Sequence, residues 1–112
     1  MFAELMFHVY EYINCEDRKI MNGRVIRSIR IGEELIVVDN LHFDYYKKKC
    51  DENERIEICN EENYEEIKIE EIFSYGRYWE ELPEMMSAQL RYSCKREDLK
   101  SDLVFRIVKD SE

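Results

Sequence analysis

Apolar and polar residues alternate along most of the chain with the two-residue period of β-strands. Phe2 to Ile13 places Ala3, Leu5, Phe7, Val9 and Ile13 on one face and Glu4, His8, Tyr10 and Tyr12 on the other. Asn14-Cys15-Glu16-Asp17-Arg18 reads as a turn, and Lys19 to Arg27 returns as a second strand. The run from Asn22 to Val38 predicts two strands joined by a tight turn at Ile31-Gly32-Glu33-Glu34, with Gly32 supplying a residue that tolerates positive φ. Leu35-Ile36-Val37-Val38 is apolar on both faces, which predicts a largely buried third strand.

The alternation fails from Asp39 to Asn53, where Leu41, Phe43, Tyr45 and Tyr46 precede Lys47-Lys48-Lys49. This stretch predicts an excursion from the sheet. Arg55 to Cys59 can form a short strand with Ile56 and Ile58 inward, followed by a loop or hairpin tip at Asn60 to Asn63. From Glu66 to Tyr75 the apolar phase flips between Ile69 and Ile72, as a β-bulge near Glu70 or Glu71 would cause. Gly76 breaks the strand, Tyr78 to Pro83 reads as a connector, and Ala88, Leu90, Tyr92 and Cys94 mark another inward face. Arg96 to Lys100 reads as a polar turn, and Leu103, Phe105 and Ile107 mark the final strand. Roughly seven short strands at this spacing predict an all-β domain spanning residues 1–112, a small closed antiparallel barrel that leaves no exposed sheet edge. An OB-fold-like barrel is the alternative, and an acidic excursion or hairpin interrupts either one at about residues 41–65.

Composition sharpens this picture in three ways. The 112 residues suffice for one core, and a 45% hydrophobic fraction beside 38% charged residues predicts a thin core under a heavily charged surface. The opening Met1-Phe2-Ala3-Glu4-Leu5 lacks the basic start and apolar run of a secretory signal, and no stretch reaches the roughly 18 apolar residues of a membrane helix, so a cytoplasmic location is expected. Cys15, Cys50, Cys59 and Cys94 are then expected as reduced thiols. The net charge of −9 is concentrated between Asp51 and Glu71, where ten acids face only Arg55 and Lys68. Acidity disfavours phosphate backbones and suits a basic protein partner.

The order of the pieces resembles the second domain of translational GTPases, the β-barrel typified by elongation factor Tu. Phe2 to Tyr12, Gly23-Arg24-Val25 and Ile31-Gly32-Glu33-Glu34-Leu35 look like that barrel's opening strands and its Lys/Arg-Val/Ile-Gly-Asp/Glu-Glu turn. Lys68-Ile69-Glu70-Glu71-Ile72-Phe73 is similar to its following strand, and Arg96 to Val104 to its acidic-Ile/Leu-x-Arg/Lys-Gly-x-Val closure. The chain departs from the pattern at Ser101, where the family usually has Gly, at Glu84-Met85, where it has Ala-Gly, and in the longer, more acidic segment 39–65. The resemblance implies a barrel over nearly the whole chain. It also implies a possible tRNA or ribosome-associated role, although no residues here match a distinct tRNA pocket.

Side chains with catalytic potential do not assemble into a motif. No Gly-x-x-x-x-Gly-Lys-Ser/Thr segment is present to cradle a nucleotide, and Cys50, Cys59 and His42 lack the close pairing of structural zinc ligands. His8 with Cys15 or Cys94 gives no nucleophile setting, and the serines lack a Gly-x-Ser-x-Gly context, so neither an enzyme, a metal site nor a cofactor is expected. The aromatic residues carry more information. Tyr45 and Tyr46 in the excursion, and Tyr75, Tyr78 and Trp79 around Gly76, are candidate partner-contact residues, because Tyr and Trp anchor binding surfaces; they also plug barrel ends. The expected function is a non-enzymatic interaction module for a basic protein. An acidic inhibitor of the immunity type and an RNA-binding domain are the alternatives.

Overall fold

A computed structural model describes residues 2–15, 17–38, 55–57, 64–95, 99 and 101–108. Among these residues every regular element is a strand: β1 (Phe2–Cys15), β2 (Arg18–Val25), β3 (Ile29–Arg30), β4 (Glu34–Val38), β5 (Arg55–Glu57), β6 (Tyr64–Ser74), β7 (Arg77–Trp79), β8 (Glu81–Leu82), β9 (Ser87–Cys94) and β10 (Leu103–Val108). The fold is a compact antiparallel sheet. β1 pairs with β2 along Phe7–Cys15 and with β10 along Phe2–His8; β10 pairs on with β4, β4 with β6, β6 with β9 and β9 with β2. β5 pairs with the start of β1, β7 folds back on β6, and β3 and β8 form a separate two-stranded ladder.

Alternation along each strand sends one set of side chains into a single core. Val9, Met21, Val25, Leu35, Val37, Ile67, Ile69, Ile72, Ala88, Leu90 and Val104 meet there, with Phe7 and Met6 at the centre of β1. Ile36 and Phe105 point the other way, pair across β4 and β10, and join Ala3 in a second buried cluster. That explains why Leu35-Ile36-Val37 is apolar on both faces. The register of β6 against β9 shifts between Ile69 and Glu71, so the expected bulge is present.

Two further bulges changed the phase that simple alternation assigns to β1. Register shifts between Leu5 and Phe7 against β10, and between Val9 and Glu11 against β2. Beyond Tyr10 the faces are exchanged: Tyr12 lies opposite core residue Met21 and packs against the core, whereas Ile13 lies opposite Ile20 on the outward face. Glu4 is buried rather than outward, opposite Arg106.

The turn at Gly32 has the positive φ expected of it, 86°, but it does not close a hairpin. β3 pairs with β8 instead, and the turn is tied to β6 by Gly32 N–H donating to the Ile69 carbonyl and Ile69 N–H to that of Glu33. The Tyr78 to Pro83 connector contains strand: β7 and β8 occupy it. The expected inward positions of Ile56 and Ile58 and the loop at 60–63 lie outside the described side chains and residues.

Candidate interaction site

The β6–β7 hairpin presents the most exposed aromatic side chains among the described residues. Ser74 pairs with Arg77 across a two-residue turn of Tyr75 and Gly76, whose φ values of 50° and 76° are both positive, as the type I′ turn of a twisted hairpin requires. Tyr75 is 76% exposed and Tyr78 67%. Tyr78 lies opposite Phe73 on the outward face, and the two rings meet edge to face with centroids 5.0 Å apart. Tyr78 is therefore held by a neighbour while most of its surface faces solvent.

Trp79 belongs to the other side of the ribbon. It lies opposite Ile72, packs against the main core, donates from Nε1 to the Ser74 carbonyl at 2.8 Å, and carries the Arg77 guanidinium 3.9 Å above its ring. Alternation separates neighbouring aromatics into an outward, exposed residue and an inward one that covers the core. Tyr45 and Tyr46 lie outside the described residues.

A second turn stands beside the hairpin. Ser74 Oγ donates to the Ser87 carbonyl at 2.5 Å, and two residues before Ser87 the chain passes through Met85 with φ 69°. Met85 is 60% exposed, its backbone N–H bonds to the Val25 carbonyl, and its sulfur lies 3.6 Å from Arg24 Nη2. Phe73, Met85 and Arg24 are not among the contact residues expected from the sequence. The Ser-Tyr-Gly-Arg run, a two-residue link with glycine second, is the signal that identifies the hairpin and so places Phe73 beneath Tyr78.

Charge around these side chains is mixed, with Arg18, Arg24, Arg77 and Arg91 standing among Glu71, Glu80, Glu81 and Glu84. Glu80, Glu81 and Glu84 follow the hairpin and are exposed. Glu81 accepts from Ser28 Oγ at 2.9 Å, and Glu71 holds Arg91 Nε at 2.7 Å, but Glu80 and Glu84 have no cation within ion-pair distance among the described residues. On the face that carries Tyr78 and Phe73, these two residues with Ile20, Glu71, Arg91 and Arg18 line a depression of about 140 Å³.

The chain matches no protein-family model, no curated protein and no solved structure. The arrangement itself therefore carries the functional reading. Chemically it offers exposed aromatic area on a braced ribbon, with carboxylates in the segment that follows it. Among the described residues no group of three or more His, Cys, Asp or Glu side chains could hold a metal ion, and no helix is long and apolar enough to cross a membrane. His8 approaches Asp102 at 3.6 Å and Tyr10 edge to face, and lies opposite Arg24 across the β1–β2 ladder.

Proposed function

We propose that this chain is a non-enzymatic, cytoplasmic interaction module that binds a basic protein through the β6–β7 hairpin and the glutamates that follow it. One observation carries the reading: Tyr78 stands two-thirds exposed with its ring braced edge to face on Phe73, two residues before the exposed Glu80. Exposed aromatics braced from below lose little conformational entropy on binding, and such residues dominate interface energetics. The negative field of the chain, −9 overall, accelerates encounter with a cationic surface.

The scaffold we infer is a closed barrel like the second domain of translational GTPases. Its support is the double pairing of β1 with β2 and β10, together with the pairing of β10 with β4. The positive φ of Met85, at the position where that family usually carries Gly, points the same way. Capture of partners from native extract at low and high salt tests the function. A basic protein retained at low salt and released at high salt is expected. Retention of tRNA with no basic protein retained would replace the reading with the RNA-binding alternative.

A further inference from the structure

We propose that the depression formed by β2, β9 and the β6–β7 hairpin binds a small aromatic carboxylate, with Arg18 holding the carboxylate and Ile20, Phe73 and Tyr78 holding the ring. The site shares Tyr78 with the partner reading but does not rest on it. It lies on the outward face of the sheet, where alternation ordinarily places polar side chains. Two cross-strand rows build it. Asn22, Gln89, Phe73 and Tyr78 follow one another across β2, β9, β6 and β7, and Ile20, Arg91 and Glu71 form the next row. Ile20 and Phe73 are half-buried yet belong to neither core cluster, so their apolar surface lines the depression and not the interior.

Charge selects the sign of the occupant. Arg91 Nε lies 2.7 Å from Glu71, so these two side chains neutralise each other. Arg18 is exposed at the start of β2 and has no carboxylate within ion-pair distance among the described residues; the Gln89 side chain makes no hydrogen bond among them. Two arginines against one glutamate leave the lining with a net positive charge, on a chain whose overall charge is −9. A carboxylate can accept two hydrogen bonds from the Arg18 guanidinium and another from the Gln89 amide. Size selects the rest of the ligand. The depression of about 140 Å³ is smaller than the pockets of roughly 300 Å³ and more that take drug-sized ligands, and close to a cavity of about 150 Å³ that admits benzene, so it suits a single ring. Phe73 and Tyr78, paired edge to face with centroids 5.0 Å apart, brace the aromatic side of the site.

The test is a titration of the whole isotope-labelled chain with sodium benzoate, followed by two-dimensional NMR. The amides of Ile20, Phe73, Tyr78 and Gln89 should shift together and saturate with a Kd of about 1 mM. Benzylamine, which carries the opposite charge, should produce no saturable shift. Arg18→Gln should weaken benzoate binding about fivefold and leave that of neutral benzamide unchanged, whereas Tyr78→Ala should weaken both. Both side chains are exposed, so the two variants should keep the thermal midpoint of the wild type. Shifts that do not saturate by about 20 mM benzoate, equal binding of benzylamine, or an Arg18→Gln variant that binds benzoate as the wild type does would each overturn the proposal. Tighter binding of the amidated dipeptide acetyl-Phe-Glu than of benzoate would also overturn it, in favour of an acidic protein segment. Capture of a basic protein is a separate measurement, so failure of the benzoate site leaves the partner reading standing.

Discussion

Glu4 and Arg106 face each other across the β1–β10 ladder, and the Arg106 guanidinium is hydrogen-bonded to a carboxylate that is only 6% exposed. Arg106 also reaches Glu33 at 3.4 Å, and Arg27 Nε lies 3.7 Å from Glu4. Burial alone would lower the Arg106 pKa, but the hydrogen bond and charge of Glu4, followed by those of Glu33, outweigh it and raise the pKa above the ordinary guanidinium value. Arg106 is two residues from core residue Val104 on the same face of β10, so this network closes one end of the core with paired charge.

Removing one partner leaves the other buried and uncompensated. Arg106→Met should cost about 2 kcal/mol, less than a fully buried pair would lose, because Arg106 is partly solvated and Arg27 stays near Glu4. In a double-mutant cycle with Glu4→Leu, denaturant unfolding should give a coupling of about 1 kcal/mol or more; additive losses would show that the pair does not act as one unit.

Gly23 permits β1 and β2 to approach at the bulge. A Cβ there would lie 2.0 Å from the His8 carbonyl oxygen and 2.7 Å from Phe7 Cε2, so backbone must move before any side chain fits. Gly23→Ala should destabilise by about 3 kcal/mol, at the upper end of overpacking costs. Gly76→Ala, where space is open and only the positive φ of 76° resists, should cost about 1 kcal/mol. Equal losses in the two variants, read by thermal unfolding, would contradict the close approach.

Tyr12 and Tyr92 set the alkaline limit of the fold. Burial raises both phenols above the ordinary value of 10.0, Tyr92 to about 12, with the Cys94 charge adding to each and Tyr92 adding to Tyr12. Folding favours the protonated phenols, so this stabilisation is fully present below the unfolded value of 10.0 and is lost as pH rises through about 12. Phenolate absorbance should show these two tyrosines ionising only near or above pH 12, where the fold weakens. Tyr12→Phe should lose about 1 kcal/mol at neutral pH, from the hydrogen bond that the Tyr12 hydroxyl donates to the Ser101 carbonyl at 2.6 Å, and should soften the alkaline loss. Ionisation of every tyrosine together near pH 10 in the folded protein would contradict this.

The sequence made the strands legible wherever burial and alternation agreed. Leu35 to Val37, the Ala88-Leu90-Tyr92 face, the Gly32 turn and the β6 bulge all follow from side-chain period and glycine chemistry. The β1 bulges were not legible, because Val9-Tyr10-Glu11-Tyr12-Ile13 alternates acceptably in either phase and only the pairing with β2 decides between them. Glu4 looked outward because a lone carboxylate among apolar residues is ordinarily solvated; its partner is 102 residues away. In the candidate site the aromatics around Gly76 were visible, but their assignment to faces required the turn geometry. Met85 is marked in the sequence only by standing where the resembled family has Gly; its own side chain gives no sign of a positive φ.

The central claim is that Tyr78 contacts the partner while Trp79, one residue on, holds the core. Wild type, Tyr78→Ala and Trp79→Ala should be compared for salt-sensitive capture of a basic protein and for thermal stability. Tyr78→Ala should lose about tenfold or more in affinity with its thermal midpoint unchanged, whereas Trp79→Ala should lose about 3 kcal/mol of stability. Full retention of the basic partner by Tyr78→Ala would contradict the account.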